Sequence, residues 1–99
     1  RYGAAGWFDS STQEFWLFAG YGDIDRKYSY FNDMWVYRVN NETWTWVAGS
    51  NTANHLGASG EKGVASADYI PASRAHHFVW YDNSTREVWM FGGYSARGT

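Results

Sequence analysis

The chain has 99 residues, 21% of them aromatic, with eleven Gly, one Pro, no Cys and a formal net charge of −2. That length allows one small domain at most. The scattered charges leave no basic patch for phosphates, no apolar run reaches the roughly 18 residues of a membrane helix, and the lack of Cys excludes disulfides, thiolate zinc sites and a Cys nucleophile. The first residue is Arg and no signal-peptide pattern follows it, so a segment of a longer chain is expected.

In chain order, the first apolar run predicts a strand over residues 2–8. It meets the turn Asp9-Ser10-Ser11-Thr12, and a second strand over 15–20 ends at Ala19-Gly20. Residues 22–32 read as a polar loop. Two more strands follow, over 33–39 and 43–47, joined by Asn40-Asn41-Glu42. The second of these alternates, with Trp44 and Trp46 on one face. The segment 49–73, rich in Gly, Ala, Ser and Asn, reads as a long loop. Strands over 75–81 and 87–92, around Asp82–Thr85 and ending at Gly92-Gly93, close the chain.

These elements repeat. Residues 1–22 align without gaps on 74–95 at a shift of 73, with ten identities in twenty-two positions, among them Arg1/Arg74, Trp7/Trp80, Asp9/Asp82, Trp16/Trp89, Gly20/Gly93 and Tyr21/Tyr94. Each copy is a hairpin. In the first, Phe15 and Leu17 point one way and Trp16 and Phe18 the other, so a sheet covered on both faces is expected.

The order Arg, apolar strand, Asp-led turn, apolar strand, Gly-Gly-Tyr, loop, Asn-Asp-x-Trp-x-Tyr, turn, Trp-x-Trp resembles the kelch repeat of galactose-oxidase-type β-propellers. The residues that carry the resemblance are Ala19, Gly20, Tyr21, Trp35, Tyr37, Trp44, Trp46, Gly92, Gly93 and Tyr94. It covers nearly all the chain outside 49–73. It implies an all-β propeller fragment: a four-stranded antiparallel blade over 1–48, a long inter-blade loop over 49–73, and the first two strands of the next blade over 74–99. The repeat exceeds the roughly 50 residues of a usual kelch unit, and the excess lies in the long loop. The resemblance further implies an interaction scaffold within a larger protein. Galactose oxidase itself is a copper enzyme that uses Tyr, His and a Cys-linked Tyr; with no Cys and no Tyr/His set at its spacing, no catalytic, cofactor or metal residue is assigned within the segment. A carbohydrate-active extracellular parent, with catalytic residues mostly elsewhere, is the alternative.

Strand parity places loops 22–32 and 49–73 at one end of the sheet and the tight turns at the other. The loop-bearing end is the expected contact surface for a protein or glycan. Its candidate residues are Asp23, Asp25, Arg26, Tyr28, Tyr30, Phe31, His55 and Tyr69. Asp23-Ile24-Asp25 lacks the further ligands of a calcium loop. Alternation sends His76 and His77 to opposite faces, against a shared metal. The in-strand Trp16, Trp35, Trp44, Trp46 and Trp89 are assigned to packing. Arg1 and Arg74 are read as structural, with Asp33 as a partner. Asn41 and Asn83 head glycosylation-type triplets in tight turns, where turn chemistry alone also accounts for them; as acceptors they favour a secreted parent. With open edges and aromatic faces, the isolated chain is expected to be poorly soluble or loosely structured.

Overall fold

A computed structural model describes residues 1–24, 26–58 and 60–95. Its elements are β1 (Ala5–Asp9), β2 (Glu14–Ile24), β3 (Lys27–Arg38), β4 (Thr43–Ala48), β5 (Arg74–Ala75), β6 (Phe78–Asp82), β7 (Glu87–Phe91) and β8 (Tyr94–Ser95). The fold is all-β, with no helix among the described residues. Strands β1-β2-β3-β4 form an antiparallel sheet in sequence order; β5 pairs with β8, and β6 with β7.

The internal repeat is reproduced residue by residue. In the first hairpin Ala5 faces Phe18 and Trp7 faces Trp16; in the second, Phe78 faces Phe91 and Trp80 faces Trp89, each pair displaced by 73. Both indole pairs stack at 6.2 Å between centroids. Asp9 accepts from the Ser11 amide and hydroxyl at 3.0 and 2.6 Å, and Asp82 accepts from Ser84 at 3.0 and 2.7 Å. Each carboxylate thus caps its own turn, which is why Asp leads both. Left-handed backbone recurs as well: Gly3 (φ 62) with His76 (56), Gln13 (58) with Arg86 (58), Ala19 (66) with Gly92 (72), and Gly20 (107) with Gly93 (93).

That recurrence splits the first strand of each copy, which the sequence suggests is continuous. Tyr2 pairs alone with Tyr21, Gly3 turns left-handed, and β1 begins only at Ala5. In the second copy the break falls at His76, between β5 and β6. Opposite the break, Ala19 and Gly20 form a bulge in β2. A Cβ on Gly20 would lie 2.9 Å from the Tyr2 carbonyl oxygen, so the bare backbone is what lets the chain approach there.

Residues 22–24 and 27–32 are strand, not loop. β2 and β3 continue as a two-stranded arm with Tyr21 opposite Tyr30, Asp23 opposite Tyr28 and Ile24 opposite Lys27. The charges at the tip mask a β-favouring alternation, Tyr28 and Tyr30 on one face and Ser29 and Phe31 on the other.

Segment 49–73 folds back on this arm. Asn32, fully buried, donates its amide to the Pro71 carbonyl (3.0 Å) and accepts from the Ser50 amide (3.0 Å), so one side chain holds both ends of the segment. Asn54 then takes the place of a neighbouring strand for Tyr30: its backbone N–H donates to the Tyr30 carbonyl (2.6 Å) and its side-chain oxygen accepts from the Tyr30 amide (2.8 Å). Ala58 and Ile70 exchange both backbone bonds at 2.8 Å, and His55 accepts from the Gly57 amide through Nδ1.

The second copy packs on one face of the first. His76 donates its backbone N–H to Gly3 (2.9 Å), the His77 ring meets Phe18 edge-on at 5.5 Å, and Arg86 reaches Asp9 at 3.1 Å. The buried apolar set is small: Ala5, Phe18, Ala19, Val36, Ala72 and Ala75. Phe18 is thus the one buried Phe, Tyr or Trp among the described residues. The other face of the first sheet, with Phe8, Phe15 and Trp44, stays open, so the expected double cover is met on one side. Trp44 and Trp46 on this face, and Trp89 on β7, are about half exposed.

Two outcomes follow. Asn32→Ala, which orphans the Ser50 N–H and the Pro71 carbonyl, lowers stability by roughly 2–3 kcal/mol in a urea titration followed by Trp fluorescence. His77 is buried with neither ring nitrogen bonded; burial first, then the Arg74 and His76 charges, hold its pKa below 6.5. The unfolded chain therefore takes up this proton first. Stability is full above about pH 6.5 and falls as the pH drops from there toward the depressed value, and His77→Phe flattens the curve in that window.

Candidate functional site

An aromatic cleft opens where the arm of the first sheet meets the second copy. Tyr21, Tyr28, Tyr30, His76 and Tyr94 line a space of about 520 Å³. Its geometry comes from strand register. Tyr21 and Tyr30 are direct cross-strand partners, and Tyr28 lies two residues from Tyr30 on the same face. From the second copy, Tyr94 holds the position of Tyr21, and His76 projects from its left-handed residue beside it.

Tyr21 is the floor. Its ring lies 5.6 Å from Tyr2, 6.3 Å from Tyr28, 5.9 Å from Tyr30 and 5.6 Å from His76, all tilted, while His76 meets Tyr94 edge-on at 6.4 Å. Tyr28 is 78% exposed and Tyr94 57%, so their ring faces are open to an incoming group. Among the described residues no Lys or Arg lines the cleft, and Asp23 stands across the arm from Tyr28. Ring faces and phenol hydroxyls suit a ligand with both apolar patches and hydroxyl or amide groups.

The candidates from sequence divide. Tyr28 and Tyr30 enter the cleft; Asp23 pairs opposite Tyr28 on the arm but does not line the cleft. Phe31 points to the other face, where the Arg1 guanidinium covers its ring at 4.8 Å. Arg26 is exposed at the arm tip in left-handed backbone. His55 organises the long segment, and Tyr69 lies over Gly60 in a separate hollow with Leu56 and Ile70. Asp25 lies outside the described residues. Tyr21, Tyr94 and His76 join the cleft although sequence reasoning kept them as structural. The signal for the two tyrosines was the repeat itself, which puts equivalent side chains at one end of adjoining units.

Beside the cleft, Arg1 is held as anticipated: it makes two bonds of 2.8 Å to Asp33 and a third, 2.8 Å, to the Ala19 carbonyl. Burial pushes the Asp33 carboxyl up, but bonds from Arg1 and the Trp35 indole outweigh it and keep the group below 3.8. At the opposite end, the Ser11 hydroxyl, opposed by burial and helped by the Ser11 amide, holds Asp9 at about 2. Both are anions at neutral pH and serve the scaffold.

Asn41 and Asn83 are exposed in the turns at the end away from the cleft, and the Thr43 hydroxyl donates to the Asn41 side-chain oxygen at 2.6 Å. Among the described residues no helix is long and apolar enough to cross a membrane.

Exposure separates contact from scaffold within the cleft. Tyr28→Ala shifts stability by less than about 0.5 kcal/mol, whereas Tyr21→Ala, which removes the floor, costs about 1–2 kcal/mol; paired urea titrations of the two variants check this. Comparisons with protein families, with characterised proteins and with solved structures return no match to this chain.

Proposed function

We propose that the chain is a segment of a kelch-type β-propeller, one blade and the first hairpin of the next, and acts as a binding module of a larger protein through the tyrosine cleft. The observation that carries the reading is the packing of the two copies. They repeat each other in register, turn capping and left-handed positions, yet they lie face against face instead of joining edge to edge. Successive blades of a propeller are related in that way, each a sheet that covers its neighbour's face. The open apolar face around Phe8, Phe15, Leu17 and Trp44 is consistent with a further blade on that side.

The elaborate end supports the functional half of the proposal. The arm, segment 49–73 and the cleft cluster there, on connections that a rigid sheet positions. The turns bearing Asn41 and Asn83 lie at the other end, so glycans on them would leave the cleft clear. A carbohydrate-active extracellular parent is the second reading, favoured by the phenol-lined cleft, whose ring faces suit sugar C–H groups.

The test is a panel of immobilised glycans and peptides probed with the intact chain. A ligand that binds the native chain and loses about tenfold in affinity, or 1.4 kcal/mol, with Tyr28→Ala but not with Val47→Thr supports the module. Binding indifferent to Tyr28→Ala and Tyr94→Ala removes the cleft as the site. Copper-dependent sugar oxidation by the parent protein, lost on His76→Ala, would replace the module with the enzyme reading.

A further inference from the structure

The arm sorts its side chains by charge. Tyr21 lies opposite Tyr30 and Asp23 opposite Tyr28, and cross-strand partners share a face. One face of the arm therefore carries three tyrosines and a carboxylate. Alternation puts Ile24 and Lys27, which also pair, on the reverse face with Phe31. There the Arg1 guanidinium covers the Phe31 ring at 4.8 Å while it holds Asp33 through two bonds of 2.8 Å. Arg26 stands exposed in the turn between the two strands. Pairing within residues 20–31 fixes this division.

The second copy adds two rings to the anionic face. His76 lies 5.6 Å from Tyr21, and Tyr94 meets His76 edge-on at 6.4 Å. The cleft of about 520 Å³ thus has aromatic walls and, among the described residues, no Lys or Arg in its lining. Asp23 stands next to it, directly across from the 78% exposed Tyr28.

The face of a phenol ring is electron-rich, so a cation set over it is attracted by the ring quadrupole. A primary ammonium or a guanidinium carries N–H donors that water satisfies better than ring faces do. A trimethylammonium has no N–H to satisfy. It offers methyl groups to the rings and its charge to Asp23. A choline headgroup would bring a phosphate as well, which calls for a cation that the lining lacks; a methylated lysine brings none.

We infer that the cleft takes the trimethylammonium end of a methylated lysine on a partner protein, with Asp23 as its counter-ion. This assignment rests on the cleft being the binding site of the module proposed above, and it names the ligand class.

The test uses the intact chain and a fluorescein-labelled peptide with one trimethyl-lysine among Gly and Ser residues. Two control peptides carry unmodified lysine, or the neutral isostere with carbon in place of the charged nitrogen. Fluorescence anisotropy should show the trimethyl-lysine peptide binding about tenfold tighter than either control, and its N-methyl proton resonance should move upfield under the rings. Tyr28→Leu should weaken binding about fivefold or more, whereas Tyr28→Phe, which keeps the ring face, should retain it. Asp23→Lys should weaken it too, by more at low salt than at high salt. Both side chains are exposed, so these variants keep the fold. Equal binding of the neutral isostere, or indifference to both Tyr28→Leu and Asp23→Lys, overturns the assignment. Preference for phosphatidylcholine vesicles over the peptide also overturns it. A glycan or uncharged peptide whose binding depends on Tyr28 would overturn the ligand class and leave the cleft as the site. The absence of any Tyr28-dependent ligand would remove both.

Discussion

The fold depends on one buried amide. Asn32 sits in the middle of β3 with no solvent contact, and its donor and its acceptor are spent on the two ends of segment 49–73. Burying a side-chain amide is favourable only when both functions are bonded, and here the bonding partners are distant backbone groups that must come together for the amide to be buried at all. The sheet and the segment are in this way mutually required. Gly49 shows the closeness of the fit, since a Cβ there would lie 2.0 Å from the Asn32 carbonyl oxygen.

Closing that segment determines where the second copy goes. From Ala72 and Ser73, both buried, the chain enters β5 directly against β2 and β3. The remaining contacts between the copies are then set by position: the His77 ring against Phe18, the His76 amide on Gly3, and Arg86 on Asp9. Small side chains and polar bonds do this work more than a large core does. The aromatic residues that dominate the composition lie mostly on sheet faces and at edges, where they are available to further protein or to ligand.

The tyrosine cleft is a by-product of the same placement. Tyr21 and Tyr94 hold equivalent positions, so packing the copies face against face brings two tyrosines to one end, and the extended arm adds Tyr28 and Tyr30. His76 completes it because the residue that breaks the first strand of its copy is a histidine where the first copy has glycine. Repetition supplies the frame and the differences between copies supply the chemistry.

Read alone, the residues determined the all-β class, the two hairpins, their turns and their equivalence, because a strand's alternation and an Asp-capped turn are local properties that neighbours in sequence carry. The Arg1–Asp33 pair was also legible, from an Arg repeated at equivalent positions and an acid on the third strand. What sequence could not decide was anything that depends on which surfaces meet. Residues 22–32 looked like a loop because their tip is charged, yet pairing across β2 and β3 makes 22–24 and 27–32 an arm. Phe31 and Tyr28 looked like one cluster, but the pleat sends them to opposite faces. The return of segment 49–73 sets the His55 ring on the Gly57 amide and leaves Tyr69, still exposed, in a hollow apart from the cleft. The long segment has no periodicity to announce its path. Its course is set by Asn32 and Asn54 bonding to backbone far along the chain, and such pairings exist only once the tertiary structure has formed.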